Sequence, residues 1–303
     1  MSRDKSAGSA PSLEGGESVL YREARALLGW MNESEVVQVL LGRNPAPTDD
    51  LASLRGIHQQ CHAEVDARPR YEPEDPIIDE SFPGLTEVAI RTEVIANFAN
   101  MNWRPALVDL TKVLSFQKLI HIDGLEERAR GVADKDRLLE VCIPSSQPQP
   151  PLGAFTDSDG KGFTISSYNP NLRIAGGQMA DANVSQAPGL PEVKMRAVTL
   201  FVFMGTSYLQ VVRYRDRCFI RDGYHRAAAL LKKGITRVPS IFIEAKSFEE
   251  VGANPGAFTY EVLYGERPPR VIDFWDASVS RTVKQASVRK VVRIRGEEFV
   301  VPR

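Results

Sequence analysis

The chain has 303 residues, of which 43% are hydrophobic and 25% are charged, the composition of an ordinary globular protein. Its formal net charge of -1 gives no global basic character that would argue for nucleic-acid binding. No run reaches the roughly 20 apolar residues that cross a bilayer, so we expect no membrane partner. Three widely spaced cysteines without a CxxC pair argue against a disulfide framework and predict a cytoplasmic protein.

Composition divides the chain into four parts. Residues 1–17 are polar and small, and we expect a disordered leader. Residues 18–141 are predicted to be mainly helical, and 142–162, rich in proline, serine and glycine, to be a linker. Residues 163–303 are rich in strand patterns and end in a predicted hairpin with Gly296 near its turn. The expected fold class is therefore α/β, of the α+β kind.

Several elements of the N-terminal region can be predicted in chain order. Apolar residues at helical spacing predict a helix over 18–31. Asn32 with Glu35 fits a capping box at the start of a second helix, and a third helix is expected over 48–67. The segment 103–124 mixes β-branched residues with helical spacing, so helix and strand both stay open there.

Two further patterns carry weaker expectations. The run "VTLFVFM" at 198–204 has the length and apolar content of a core strand. His58 and His62 lie four residues apart on a predicted helix, next to Cys61, a spacing that can bind zinc. A zinc site needs further ligands, and a polar helix face explains the spacing equally. We expect no metal site of this kind.

The stretch "CFIRDGYHRAAALLKKGITRVPSIFIEA" predicts a strand, a tight turn, a short helix and a second strand. Asp222 is a favoured N-cap residue, and Gly223 lets the backbone turn sharply. The first-turn amides and the helix dipole then form a place suited to an anion, above all a phosphate. Arg226 would clamp the anion and His225 would donate to it or carry a proton. Ordinary helix capping with solvated side chains is the alternative.

A basic face is predicted beside this turn. Between 213 and 237 eight basic residues stand against Asp216 and Asp222. Alternation along a strand places Arg213 and Arg215 on one side, and Arg221 precedes the turn. Such a face suits nucleotide phosphates or a nucleic-acid backbone. A solvated edge strand protected by charge remains the alternative.

The stretch "FIRDGYHRAAALLKKGITRVPSIFI" resembles the core of the ParB/sulfiredoxin-like superfamily, and the preceding "LQVVRYRDRCFI" resembles the hairpin that leads into it. The resemblance covers about residues 195–245 and implies a mixed-sheet domain in which the turn binds the phosphates of a nucleotide. It implies catalytic roles for Asp222 and His225. The nucleotide-binding positions that it implies are Asp222, Gly223, Tyr224, His225 and Arg226.

The chain also departs from that superfamily. Sulfiredoxins carry a catalytic cysteine where this chain has Tyr224, which argues against sulfinic-acid repair. No helix-turn-helix pattern follows the domain, which argues against chromosome partition. Family members that phosphorylate small substrates need a carboxylate base, and Glu192, Glu244 and Glu261 are open candidates.

These observations leave three functional hypotheses. The first is binding of a nucleoside triphosphate, ATP or CTP with Mg²⁺, with hydrolysis or phosphoryl transfer at the turn. The second is a nucleic-acid-binding or nuclease element that uses the basic face within 213–237. The third is a nucleotide-gated scaffold without turnover, whose N-terminal helical region docks a partner protein. The oligomeric state is not predicted.

Overall fold

A computed structural model describes residues 21–42, 51–145, 153–156, 160, 162–167, 172–184, 193–253, 256–287, 290–297 and 300. These residues form seven α-helices and twelve strands in four separate sheets, so the protein belongs to the α+β class. The predicted leader, and the second arm of the predicted C-terminal hairpin beyond 297, fall almost entirely outside the described residues. Among the described residues, no helix combines the length and the apolar character that a membrane crossing requires.

The first half of the described chain mixes strands and helices. Its elements are β1 (Tyr21–Ala26), α1 (Glu33–Leu41), α2 (Leu51–Asp66), α3 (Thr92–Phe98), β2 (Asn102–Asp109), β3 (Leu119–His121), α4 (Leu125–Arg128) and α5 (Lys135–Cys142). The helical N-terminal region is thus not confirmed, because three strands interrupt it. The capping box of Asn32 and Glu35 at the start of α1 and the third helix, α2, are confirmed. The open segment 103–124 contains β2 and β3, with a 3-10 helix, Leu110–Lys112, between them.

The second half is richer in strands. Its elements are β4 (Gly153–Thr156), β5 (Gly162–Ser167), β6 (Leu172–Val184), β7 (Val193–Met204), β8 (Gln210–Tyr214), β9 (Arg217–Asp222), α6 (Tyr224–Lys232), β10 (Arg237–Glu244), α7 (Tyr260–Leu263), β11 (Arg281–Ala286) and β12 (Lys290–Arg295). The prediction of a strand, turn, helix and strand is confirmed by β9, α6 and β10. The first strand of the predicted C-terminal hairpin, β12, pairs with β5. The run 198–204 lies in β7, but Val198 is 66% and Leu200 38% exposed, so the prediction of a core strand is wrong for its first half.

The helix predicted over 18–31 is wrong. The segment instead begins with β1, which pairs antiparallel with β11 and with β3. Ala24 and Ala26 are buried at every second position, as expected of a strand that packs one face on the core. Helical spacing is satisfied by another set of apolar residues, Ala24, Leu27, Leu28 and Met31. Pairing with a strand from the far end of the sequence decides between helix and strand.

The sheet that positions the candidate site has the strand order β2-β10-β8-β9. Strands β10 and β8 are parallel, whereas the other neighbours are antiparallel. Six consecutive residues of β10, 238–243, are buried, as is typical of a central strand covered on both faces. Helix α6 connects β9 to β10 and buries its alanines and leucines, 227–231, in the core. The first turn of α6 therefore follows directly after the C-terminal end of β9.

The N- and C-terminal parts of the chain share one hydrophobic core. Strand β1 pairs with β11, and β2 pairs with β10. A single cluster of buried side chains includes Val36, Phe116, Phe219 and Phe242. Because of this shared core, residues from the first 130 positions reach the start of α6.

Candidate functional site

The turn between β9 and α6 requires glycine. Gly223 has a φ of 89°, in the left-handed region that favours glycine. A Cβ atom at this position would lie 2.8 Å from the Cα atom of Leu209 and 3.2 Å from the carbonyl oxygen of Tyr208. The chain can therefore enter α6 at this angle because residue 223 has no side chain.

The prediction that Asp222 caps α6 is wrong. Gly223 occupies the N-cap position, and Asp222 still belongs to β9. The Asp222 carboxylate accepts a hydrogen bond from the backbone N–H of Gly223 at 2.7 Å and one from the Ser207 hydroxyl at 3.1 Å. Its role is thus to hold the turn and Ser207 in place.

Tyr224 lies in the core rather than at the site. Its hydroxyl accepts hydrogen bonds from the backbone N–H groups of Phe116 at 3.0 Å and Gln117 at 3.4 Å. Burial raises the pKa of the Tyr224 phenol far above its ordinary value. The prediction of a nucleotide-contacting Tyr224 side chain is corrected: it anchors the start of α6 to the segment before β3.

Arg226 is held in position by a chain of hydrogen bonds. Its Nη1 atom donates to Ser207 Oγ at 2.9 Å, and that hydroxyl donates in turn to Asp222. Burial lowers the pKa of Arg226, and the neighbouring Asp222 carboxylate counteracts this effect. The guanidinium remains charged, because arginine keeps its proton in proteins. Arg226 is therefore a fixed positive charge beside the start of α6.

Four further basic groups, from four elements, lower the pKa of His225. Together with His225 they form what we call the basic cluster. The members are Arg22 of β1, His121 of β3, Arg128 of α4, and His225 and Arg226 of α6. The rings of His121 and His225 lie parallel, with centroids 6.4 Å apart and an interplanar angle of 3°. The sequence predicted two of these residues and gave no sign of the other three.

The basic cluster disfavours further positive charge. The pKa of His225 is lowered to about 4, mainly by burial. The neighbouring Arg128, His121, Arg22 and Arg226 contribute to this shift in that order. Burial and then Arg22 lower the pKa of His121. Both imidazoles are therefore neutral at pH 7, and an anion bound beside them would favour their protonation.

Arg128 stands out within the basic cluster. Its side chain is exposed, yet within the described ranges it makes no hydrogen bond and no ion pair. Partial desolvation and the neighbouring Arg22 lower its pKa. Arg22 itself pairs with Asp123 at 2.8 Å. Arg22 is thus paired with Asp123, and Arg226 is linked to Asp222 through Ser207. Arg128 contacts neither carboxylate.

The predicted basic face does not form a continuous surface. Arg213 pairs with Asp75 at 2.6 Å and with Glu244 at 3.4 Å. Arg215, in the turn between β8 and β9, donates to the Tyr260 hydroxyl at 2.7 Å.

The remaining arginines of this region are also engaged. Arg221 donates to the Gln210 side chain at 2.7 Å, and Arg217 is buried and donates to the Leu263 carbonyl. Because Gln210 is opposite Asp222 and Tyr214 is opposite Arg217, the turn between β8 and β9 lies at the other end of the hairpin from α6.

Of the three candidate bases, the two that lie within the described residues are not at the basic cluster. Glu244 lies opposite Arg213, three residues or about 10 Å along β8 from the rung that holds Asp222. Glu261 lies on α7, whose Tyr260 contacts the far turn. Glu192 is outside the described residues. The carboxylates at the cluster are Asp222 and Asp123, and Asp123 follows β3 without any local motif that would have revealed it.

The histidine pair on α2 has a structural role. His58 Nε2 lies 3.1 Å from the Met31 carbonyl oxygen, and His62 Nδ1 lies 3.2 Å from that of Gly29. Across the part of the chain that the structure describes, no group of three or more His, Cys, Asp or Glu side chains is arranged to hold a metal ion. The pair therefore fixes α2 against the segment after β1.

Comparisons of the chain with protein-family models, with curated proteins and with solved structures find no match. The fold and the site describe an α+β protein in which five basic side chains lie around the start of one helix, α6. The resemblance of the 195–245 region to the ParB/sulfiredoxin-like superfamily stays a prediction.

Proposed function

We propose that the protein binds a phosphorylated ligand of the nucleotide type at the start of α6. The observation that carries this proposal is the basic cluster, in which Arg128 has no acidic partner among the described residues. Partly desolvated cations that face each other repel, and an anion among them relieves that repulsion. Phosphate is the anion that arginines and helix N-terminal amides bind best.

Each residue has a distinct part in this proposal. Arg226, oriented by Ser207, would make the first contact with a phosphate. Gly223 lets β9 turn into α6 against the backbone of Leu209, and this turn fixes where the amides of the first turn lie. Arg128 would neutralise a second charge. The resemblance of the turn to the ParB/sulfiredoxin-like superfamily supports a nucleoside triphosphate, ATP or CTP. Mg²⁺ would accompany it, held largely by phosphate oxygens and water.

The arrangement supports binding more directly than turnover. Asp222 is engaged with Ser207 and the Gly223 amide, which suits a positioning role. His225, neutral at pH 7, is the group best suited to accept a proton if phosphoryl transfer occurs. A nucleotide-gated protein without turnover is compatible with the same site. The nucleic-acid hypothesis loses support, because the arginines of the basic face are bound to protein groups.

A thermal-shift screen of ATP, ADP, CTP and GTP with Mg²⁺ tests the proposal. At a ligand concentration of about 100 times Kd, binding adds about 2.7 kcal/mol to the free energy of unfolding. We expect at least one nucleotide to stabilise the wild type and an Arg213→Ala control, but not Arg226→Ala.

Two outcomes would count against the proposal. Nucleotides that leave the melting temperature of the wild type unchanged would remove the phosphate site. Stabilisation by short DNA or RNA alone, lost in Arg213→Ala and steeply weakened by salt, would establish the basic face as the functional surface instead.

A further inference from the structure

His225 is a member of the basic cluster whose ring nitrogens have no partner. Its imidazole is half-buried in the first turn of α6 and makes no hydrogen bond within the described residues. Arg226, the next residue, is by contrast held by Ser207. The His225 ring is therefore available to a ligand that enters the cluster.

The groups with the largest electrostatic effects on His225 are all basic, and they come from β1, β3, α4 and α6. On β1, Glu23 follows Arg22 and points to the opposite face of the strand. The other carboxylates of the elements around α6 are engaged: Asp123 with Arg22, Glu126 with Lys232, Glu127 with Arg130, Asp222 with Ser207, and Asp273 with Arg68. Among the described residues, a charged His225 thus has no carboxylate beside it as a counter-ion.

The second histidine of the cluster is less suited to hold a proton. The Nδ1 atom of His121 is buried and has no hydrogen-bond partner in the described part of the chain. A charged imidazole is a donor at both nitrogens, so a proton on this atom would be a buried donor without an acceptor. The ring also lies 6.4 Å from that of His225, so two charged rings would repel each other. A proton taken up by the pair therefore belongs on His225.

A bound anion changes the balance at His225. In the free protein, burial and the neighbouring cations keep the pKa of His225 low, so the ring is neutral at pH 7. A phosphate or sulfate among the same cations supplies negative charge and an acceptor for an imidazolium N–H. Coupling between two ligands is reciprocal, so the anion strengthens proton binding and the proton strengthens anion binding.

We propose that the basic cluster binds its anion together with one proton, which His225 takes up. This inference rests on the proposed anion site at the start of α6 and adds a means of regulating it. The affinity for the anion rises as the pH falls below neutral. The ligand is thus captured more tightly in mild acid and released more readily at neutral pH.

Calorimetric titration with inorganic sulfate tests this coupling. Sulfate keeps both negative charges over the whole range, so any proton taken up is bound by the protein. Titrations at about pH 5.5 in two buffers of different ionisation enthalpy give the number of protons, and we expect about half a proton or more per sulfate. Between about pH 7 and about pH 5.5 the affinity of the wild type should rise at least about threefold.

Two variants show whether His225 carries this effect. His225→Gln should remove most of the proton uptake and most of the rise in affinity. The matched control is His62→Gln, at an exposed histidine of α2 whose ring lies beside the Gly29 carbonyl and Asp66, and it should keep both. Nitrogen NMR of the four histidine rings identifies the protonated one directly. On addition of sulfate at about pH 5.5, the His225 ring should become imidazolium and the His121 ring should stay neutral.

The outcomes distinguish this inference from the proposed function. Proton uptake that is lost in His225→Gln and kept in His62→Gln, with a charged His225 ring, supports the inference. Sulfate binding without proton uptake, uptake unchanged in His225→Gln, or a proton on His121 overturns it and leaves the anion site in place. If neither sulfate nor pyrophosphate binds at either pH, the anion site itself is absent and both proposals fail.

Discussion

The two ends of the β8–β9 hairpin are both rich in arginine, yet they differ in what surrounds the charge. At the turn end, Arg213 has Asp75 and Glu244, and Arg217 has the Leu263 carbonyl. At the α6 end, Arg128 lacks a protein partner within the described residues, and Arg226 reaches a carboxylate only through Ser207. The sequence presents the turn end as the more basic of the two.

The difference teaches that the number of positive charges in a stretch does not identify a binding surface. What matters is whether the fold supplies an acceptor for each of them. Paired arginines stabilise the turn end as an ordinary piece of structure. Incompletely paired and partly desolvated cations cost stability, and a bound anion recovers that cost. The basic cluster is therefore the better candidate site.

The largest expected effect comes from the turn that gives the basic cluster its geometry. Gly223→Ala adds a Cβ atom 2.8 Å from Leu209 Cα at a φ of 89°. Left-handed strain and overpacking together should lower the free energy of unfolding by roughly 2–4 kcal/mol. Gly234→Ala is the control, with a φ of 73° and nothing within 4 Å of the added atom, and should cost about 1 kcal/mol. Urea unfolding of both variants measures the difference, and equal losses would show that the close approach at Gly223 is unimportant.

The next largest expected effect is a pH dependence of the free energy of unfolding. It arises from the basic cluster, and the turn end of the β8–β9 hairpin should not contribute to it. The pKa of His225 is lowered from 6.5 to about 4, so the unfolded chain binds more protons than the folded one between these values. The free energy of unfolding should therefore fall as the pH is lowered from 7 to 4. For this partly exposed side chain we expect a loss of about 1–2 kcal/mol.

Chemical denaturation at pH 7, 5.5 and 4 measures this loss. His225→Gln should lose less stability than the wild type over the same interval, and Arg128→Ala should also reduce the loss because it removes a cation that acts on His225. A saturating phosphate ligand should flatten the dependence further. Identical slopes in the wild type and in His225→Gln would contradict the electrostatic account of the basic cluster.

The smallest effect is expected at the turn end of the β8–β9 hairpin, where the arginines have protein partners. Arg213→Ala removes ion pairs to Asp75 and Glu244, whose side chains are 60% and 41% exposed. Such pairs contribute at most about 1 kcal/mol to stability. Nucleotide affinity should stay within about twofold, a difference below roughly 0.4 kcal/mol. Calorimetric titration measures the affinity, and a tenfold loss would return the basic face to consideration as a ligand site.

The local part of the fold was predictable from the sequence. Asp222 and Gly223 mark a turn, Gly234 follows the helix and Pro239 lies in the next strand, so β9, α6 and β10 follow from neighbouring residues. The capping box at Asn32 is local in the same sense. In each case the residues that predict the element lie within it or directly next to it in the sequence.

The basic cluster was not predictable, because its members meet through long-range pairing. Arg22 is placed by the pairing of β1 with β3 and β11, and Arg128 by the packing of α4 against α6. The segment of β1 fits helical and strand patterns alike, so its partners are needed to decide. His121 is an isolated histidine in sequence, and only the fold brings its ring alongside that of His225.

The most direct test of the central claim compares one unpaired arginine with one paired arginine of similar setting. Arg128 and Arg237 are both exposed, and Arg237 pairs with Glu80 at 3.0 Å. Calorimetric titration with inorganic pyrophosphate should show binding to the wild type, and Arg128→Ala should weaken it about tenfold, or about 1.4 kcal/mol. Arg237→Ala should leave the affinity within about twofold of the wild type. Equal affinities for all three proteins, or a greater loss in Arg237→Ala, would contradict the claim that the basic cluster is the anion site.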